Sequence, residues 1–159
     1  MAHFAKIDDN NIVLRVDPLA DSIATDEAAG QAHQETHTGW PAAKWIQTDN
    51  KTKRNAHLDG GTPFRGNFAA VGYEWDAAND VFWPPKGNHP DSWVKNNSTA
   101  DWESPAGLIP ALDDAKKLTH FWKWDEDNTQ WVDTEYPTPI PQADYDGAED
   151  KEEILGRKR

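Results

Sequence analysis

The sequence predicts a mainly β protein: an antiparallel, hairpin-rich small domain with one short helix and an extended C-terminal arm. Three observations predict it. Aromatic residues recur in three segments of the second half, each running into a polar Asp, Asn or Ser cluster and on to another Trp. Ala, Glu, Gln and His crowd one stretch near residues 22–37. After residue 136 the composition shifts to prolines and then to charges.

The three aromatic segments read as one motif written three times. They run from Tyr73-Glu-Trp75-Asp76 to Phe82-Trp83-Pro84, from Trp93-Val-Lys-Asn-Asn-Ser to Trp102-Glu-Ser-Pro105, and from Trp122-Lys-Trp124-Asp125 to Trp131. Strict alternation puts Tyr73 with Trp75, and Trp122 with Trp124, on one face of a strand. The polar clusters between them are turn formers, because Asn and Asp tolerate left-handed backbone and bond to their own main chain. Each copy therefore reads as a β-hairpin gripped by cross-strand aromatics such as Trp124 with Trp131. Tyr73, Trp75, Phe82, Trp83, Trp93, Trp102, Trp122, Trp124 and Trp131 are the expected aromatic core of these hairpins.

Upstream, His3 to Ile7 and Ile12 to Val16 flank four consecutive turn formers, Asp8-Asp9-Asn10-Asn11, a strand–turn–strand pattern closed by Asp17-Pro18. Residues 22–37 are the predicted helix, with Thr25 as its cap, acidic residues in the first turn and Gly39-Trp40-Pro41 as its stop. Lys44 to Thr48 reads as a short strand, and Asp113 to Leu118 as a short helical connector. Pro84-Pro85 and Pro105 end the outgoing strands of the first two copies, since proline cannot donate to a ladder. The hairpin-rich domain is expected to span 1–136, and 137–159 to form the arm, extended or disordered.

Composition bounds the function. Hydrophobic residues make up 36% of the chain, so the nine tryptophans must supply much of the burial. A net charge of −12 repels nucleic acid, whose binding depends on Lys and Arg neutralising phosphates. No apolar stretch approaches the length of a membrane span, so membrane insertion is not expected. Met-Ala-His-Phe-Ala-Lys-Ile lacks the apolar core of a signal peptide, so synthesis in the cytoplasm is expected. The absence of cysteine removes disulfides and thiol chemistry.

Two groups of residues are candidate partner contacts. Lys51, Lys53, Arg54 and Arg65 concentrate positive charge in a polar, Gly-rich loop over 49–67. Loops of that length in a compact domain are functional or mobile. Ile154, Leu155, Arg157, Lys158 and Arg159 set an apolar pair ahead of a basic end on the arm.

No cofactor, metal or catalytic residue is nominated. His33 and His37 have the spacing of one helix face, but no third ligand follows from spacing. Asp125-Glu126-Asp127-Asn128 begins like a calcium loop and departs from it at Gln130, where Gly is required, and at Tyr136, where Glu is required.

Several phrases of the chain together resemble a family of small virion proteins in tailed phages of marine bacteria and cyanobacteria. They are the opening Met-Ala-His-Phe-Ala-Lys-Ile-Asp, Trp45-Ile-Gln-Thr, the run from Gly60 to Asp76, Phe82-Trp-Pro-Pro, Ser92-Trp93 to Pro105, and Trp124-Asp-Glu-Asp-Asn to Trp131-Val. The resemblance covers roughly residues 1–135 and leaves the arm outside. It implies a non-enzymatic structural protein at the virion surface, made in the host cytoplasm, whose partners are capsid or tail subunits or further copies of itself. The leading expectation is a capsid decoration or knob protein attached by its loop and arm. The alternative is a tail-, baseplate- or fibre-associated adhesin that stacks exposed Trp rings on host glycans. A glycan-active enzyme is a third class, for which the sequence nominates no carboxylate pair.

Overall fold

A computed structural model describes residues 1–148. The fold is mainly β and built from antiparallel hairpins, with one helix of substance. No helix among the described residues is long and apolar enough to cross a membrane. The chain divides into two compact units: Met1–His89 with Lys95–Trp102, and Pro90–Val94 with Glu103 onward.

The first unit is organised around a three-stranded antiparallel sheet in the order β2-β1-β3, formed by β1 (Ala2–Ile7), β2 (Val13–Leu19) and β3 (Trp45–Thr48). The first turn forms because Asp8 Oδ1 accepts from the N–H groups of Asn10 and Ile12, while Asn11 takes φ 62°. Strand β2 continues past the predicted end at Val16, through Asp17-Pro18 to Leu19, with Pro18 opposite His3. Proline is tolerated there because β2 is an edge strand and needs no donor on its outer side. A register shift between Lys6 and Ile7 leaves Leu14 as an extra residue in β2, 44% exposed.

Alternation along β1 buries both faces of the sheet. Phe4 joins Leu19 and Trp45 on one side; Ala5 and Ile7 join Val13, Ala69, Trp75 and Phe82 on the other. Helix α1 (Glu27–Thr38) belongs to the Phe4 side, where an ideal Cβ on Gly30 would stand 2.1 Å from Phe4 Cζ. Its N-cap is Asp26, whose Oδ1 accepts from Ala29 N–H, rather than the expected Thr25. The cap lies one residue beyond the expected Thr25, and the Ser22 to Thr25 stretch stays outside the helix, because the Asp26 carboxylate satisfies a free first-turn amide. Gly39 ends it in the left-handed region at φ 70°, as predicted, its N–H bonded to Glu35 O.

Segment 49–67, read as a loop, contains a miniature hairpin of β4 (Thr52–Lys53) and β5 (Ala56–His57). Its two-residue turn, Arg54-Asn55, has positive φ at both positions, the conformation that matches strand twist. Asn67 ties this segment inward. Its Oδ1 accepts from Arg54 N–H at 2.8 Å, and its Nδ2 donates to Phe82 O at 2.8 Å and Ala100 O at 2.7 Å.

The three aromatic motifs form the three predicted hairpins: β6 (Glu74–Asp76) with β7 (Val81–Trp83), β8 (Val94–Asn96) with β9 (Asp101–Glu103), and β10 (His120–Asp125) with β11 (Gln130–Glu135). Their turns share one device. Asp76 Oδ1 accepts from the amides of Ala78 and Asn79 while Asn79 Nδ2 returns to Asp76 Oδ2. Asp125 repeats this with Asp127, Asn128 and the Asn128 side chain. Asn96 accepts from Ser98 N–H in the middle copy. The residue four places after each of these, Asp80, Ala100 or Thr129, has positive φ and re-enters the strand. The side-chain amide bond from Asn79, followed by the bond from the Trp83 indole, outweighs burial and holds the Asp76 carboxyl below its ordinary range.

The second unit holds the β10–β11 hairpin and its approach segments. Residues 114–119 form turns rather than the expected helical connector, with Lys116 O accepting from both Thr119 and His120 N–H. The span is too short to repay the nucleation of an α-helix before β10 begins. Beyond Tyr136, α2 (Gln142–Gly147) is a short helix in the segment expected as an extended arm. Gln142 and Asp146, four apart, share a side-chain hydrogen bond across it at 2.8 Å. The arm residues Ile154, Leu155, Arg157, Lys158 and Arg159 lie outside the described residues.

Candidate functional site

The four expected loop cations separate into different roles. Arg65 is an internal tie. Its guanidinium meets Glu27 through both carboxylate oxygens at 2.6 and 2.9 Å, donates to Gln47 O at 2.8 Å, and reaches Asp80 at 3.2 Å. It also lies 5.0 Å from the Trp75 ring centroid. Burial works against the Glu27 anion, but the hydrogen bonds from Arg65 and from Gln47 N–H outweigh it and lower its pKa. Such a group stabilises the fold and offers little to a partner.

Lys51, Lys53 and Arg54 stay at the surface of the β4–β5 hairpin. Lys51 pairs with Asp59 at 3.0 Å, and Arg54 with Asp101 at 3.3 Å. Lys53 is exposed and holds no ion pair among the described residues. Beside it opens a cleft of about 380 Å³ whose walls include Lys53, Arg54, Leu58, Phe68, Tyr73 and Pro84. Leu58 is 65% exposed in a segment whose other apolar residues are Ala56, Pro63 and Phe64. Burial, and then the charge of Asp101, raises the Tyr73 hydroxyl above its ordinary pKa, so it stays a neutral donor at the cleft.

The rim is held rigid from below. Thr52, 1% exposed, donates to Asp49 Oδ2 and accepts from Phe64 N–H, each at 2.9 Å. His57 Nδ1 accepts from the amides of Asp59 and Gly61, both at 3.1 Å, which assigns the proton to Nε2. Sequence reading missed Leu58, Phe68 and Pro84 as neighbours of the cations, because the sheet and the first hairpin bring them together from three segments.

The expected aromatic core is graded. Trp75, Phe82, Trp83 and Trp93 are buried, at 8%, 0%, 1% and 6% exposure. Trp75 and Phe82 face one another across the first hairpin with centroids 4.6 Å apart. In the second copy the corresponding pair is Lys95 and Trp102: the ammonium lies 5.6 Å from the Trp102 centroid and 2.7 Å from Glu74. Trp102 Nε1 donates to Pro84 O at 2.8 Å. Tyr73, Trp102, Trp122, Trp124 and Trp131 are half-buried.

In the second unit Trp93, Trp124 and Trp131 pack edge to face in a three-ring cluster. Trp124 and Trp131 are directly opposite in register, with centroids 5.1 Å apart and planes at 70°. Glu126 braces the cluster, accepting from Trp124 Nε1 at 2.7 Å and from the N–H and hydroxyl of Ser92 at 2.6 and 2.9 Å. A shallow hollow of about 420 Å³ beside it is lined by Lys123, Trp124, Asp125, Glu126, Val132 and Thr134.

His33 and His37 stack at 3.9 Å, and His37 Nδ1 contacts His33 O at 2.8 Å. Among the described residues, no group of three or more His, Cys, Asp or Glu is placed to hold a metal ion. No family model, curated protein or solved structure matches the chain.

Proposed function

We propose that this protein is a non-enzymatic structural component of a tailed-phage virion, a capsid-surface decoration protein that attaches through its 49–67 segment and C-terminal arm. The observation that carries the reading is the repeated hairpin. Three successive copies turn on an Asp or Asn side chain that accepts from the amide two residues on, and are gripped by rings or by a cation over a ring. Such units keep their shape with little aliphatic core, which suits a small module that presents loops to its neighbours. The phrases across residues 1–135 that resemble small virion proteins point the same way, and the net charge of −12 discourages promiscuous association on a crowded particle surface.

The test is immunogold labelling of intact, purified particles of the encoding phage, with mass spectrometry of the same particles. Gold over the heads is the expected result. Absence of the chain from the particles would overturn the virion reading, and gold confined to the tail would overturn decoration.

One observation favours a second reading, the adhesin. The hollow on the third hairpin places the half-buried Trp124 beside Lys123, Asp125 and Thr134, a ring edge among groups able to bond sugar hydroxyls. Titration with host surface polysaccharide should then change Trp fluorescence, and Trp124→Ala should abolish the change.

A further inference from the structure

We propose that the cleft beside β4–β5 receives the acidic, apolar-ended segment 149–155 from a second copy of this chain. The inference rests on the cleft and the sequence; it assigns to a second copy the same 49–67 segment and arm that the decoration reading gives to the capsid, and its test reads oligomeric state rather than location on a particle.

The cleft, about 380 Å³, has room for aliphatic side chains and offers them Leu58, Phe68, Tyr73 and Pro84 as walls. Leu58, 65% exposed, sits where an entering aliphatic group would cover it. The rim carries Lys53, whose ammonium has no ion pair among the described residues, next to Arg54 on Asp101. In a chain of net charge −12, an uncompensated cation beside apolar walls selects an anionic ligand with an aliphatic end.

The chain itself contains such a ligand. Glu149-Asp150-Lys151-Glu152-Glu153 places four carboxylates immediately ahead of Ile154-Leu155. Docking sets Ile154 and Leu155 against Leu58 and Phe68, with Glu152 and Glu153 at the Lys53 rim. If each copy gives and receives one segment, the exchange closes a symmetric dimer. Burial of the aliphatic pair drives the association, and the charges fix its register and make it salt-sensitive.

Sedimentation velocity of the full chain over a range of concentrations tests this, alongside two full-length variants with circular dichroism as a check on folding. Lys53→Glu/Leu58→Ala alters only exposed side chains of the cleft; Ile154→Ser/Leu155→Ser alters only the segment. The full chain is expected to dimerise with rising concentration and each variant to associate at least about tenfold more weakly. An equal mixture of the two should recover part of the association, because one copy keeps an intact cleft and the other an intact segment, which restores one of the two contacts. Persistent dimerisation by either variant, or no recovery in the mixture, would overturn the exchange. It also fails if the full chain stays monomeric, including the case where a labelled 149–159 peptide binds the segment variant and the cleft is filled without a second copy.

Discussion

Gly30 and Phe4 approach so closely that the helix and the sheet admit no side chain between them. A methyl at Gly30 would meet the Phe4 ring at 2.1 to 2.9 Å from three of its carbons. Alanine gains roughly 0.8–1.0 kcal/mol over glycine in helix propensity, whereas overpacking a filled core costs roughly 1–3 kcal/mol. The packing term wins. Gly30→Ala is expected to lower the urea midpoint, and a raised midpoint would show that Phe4 can swing aside without cost. Asn67 illustrates the polar counterpart. It is 6% exposed and joins Arg54, Phe82 and Ala100, residues from three separate segments. Asn67→Ala strands one amide and two carbonyls where water has little access, and should cost about 3 kcal/mol in equilibrium unfolding. A loss below about 0.5 kcal/mol would mean that water replaces the amide without penalty.

At the scale of elements, the hairpins share their turns and differ in how they are gripped. The first buries its Trp75–Phe82 pair completely enough to serve as core. The second replaces one ring with Lys95, which serves Trp102 and Trp83 together at 5.6 and 5.4 Å. In the third, Trp124 and Trp131 are half-buried, so much of their contribution comes from ring geometry rather than from area removed from water. Edge-to-face pairs add about 0.5–1.5 kcal/mol beyond burial. A double-mutant cycle on Trp124→Ala and Trp131→Ala should therefore return a coupling near 1 kcal/mol. Strict additivity would show that the rings act independently, each through its own contacts. These turns were legible from sequence because an Asx turn is local: Asp76 and Asn79, or Asp125 and Asn128, stand three residues apart and need nothing from elsewhere in the chain. The β4–β5 hairpin was not legible, because Arg54-Asn55 lacks the glycine that marks such a turn and is held by Asn67 and Gly66 instead.

For the whole molecule, charge and pH act in opposite directions. A net charge of −12 means that mild acid relieves self-repulsion. The Glu27 carboxyl opposes this, since despite burial its bonds to Arg65 and Gln47 lower its folded pKa. Its contribution is complete above the ordinary carboxylate pKa and is lost as pH falls through the depressed folded value. The thermal midpoint of the wild type should thus fall more steeply between about pH 6 and about pH 3 than that of Glu27→Gln, which retains the relief of repulsion and lacks the titration. Parallel profiles would show that the Arg65 clamp does not require the anion.

The class of the fold, the three aromatic hairpins and the glycine stop of the helix can be read from the order of residues alone. Each depends on periodicity or on bonds among residues a few positions apart, which the order of residues states directly. That β1 is buried on both faces, that Arg65 closes on Glu27 38 positions away, and that Lys53 and Leu58 share a cleft with Tyr73 and Pro84 became visible only in the folded chain. Those arrangements join segments distant in the chain. Their energies come from closing particular gaps between packed elements, and no local pattern encodes which gaps will exist.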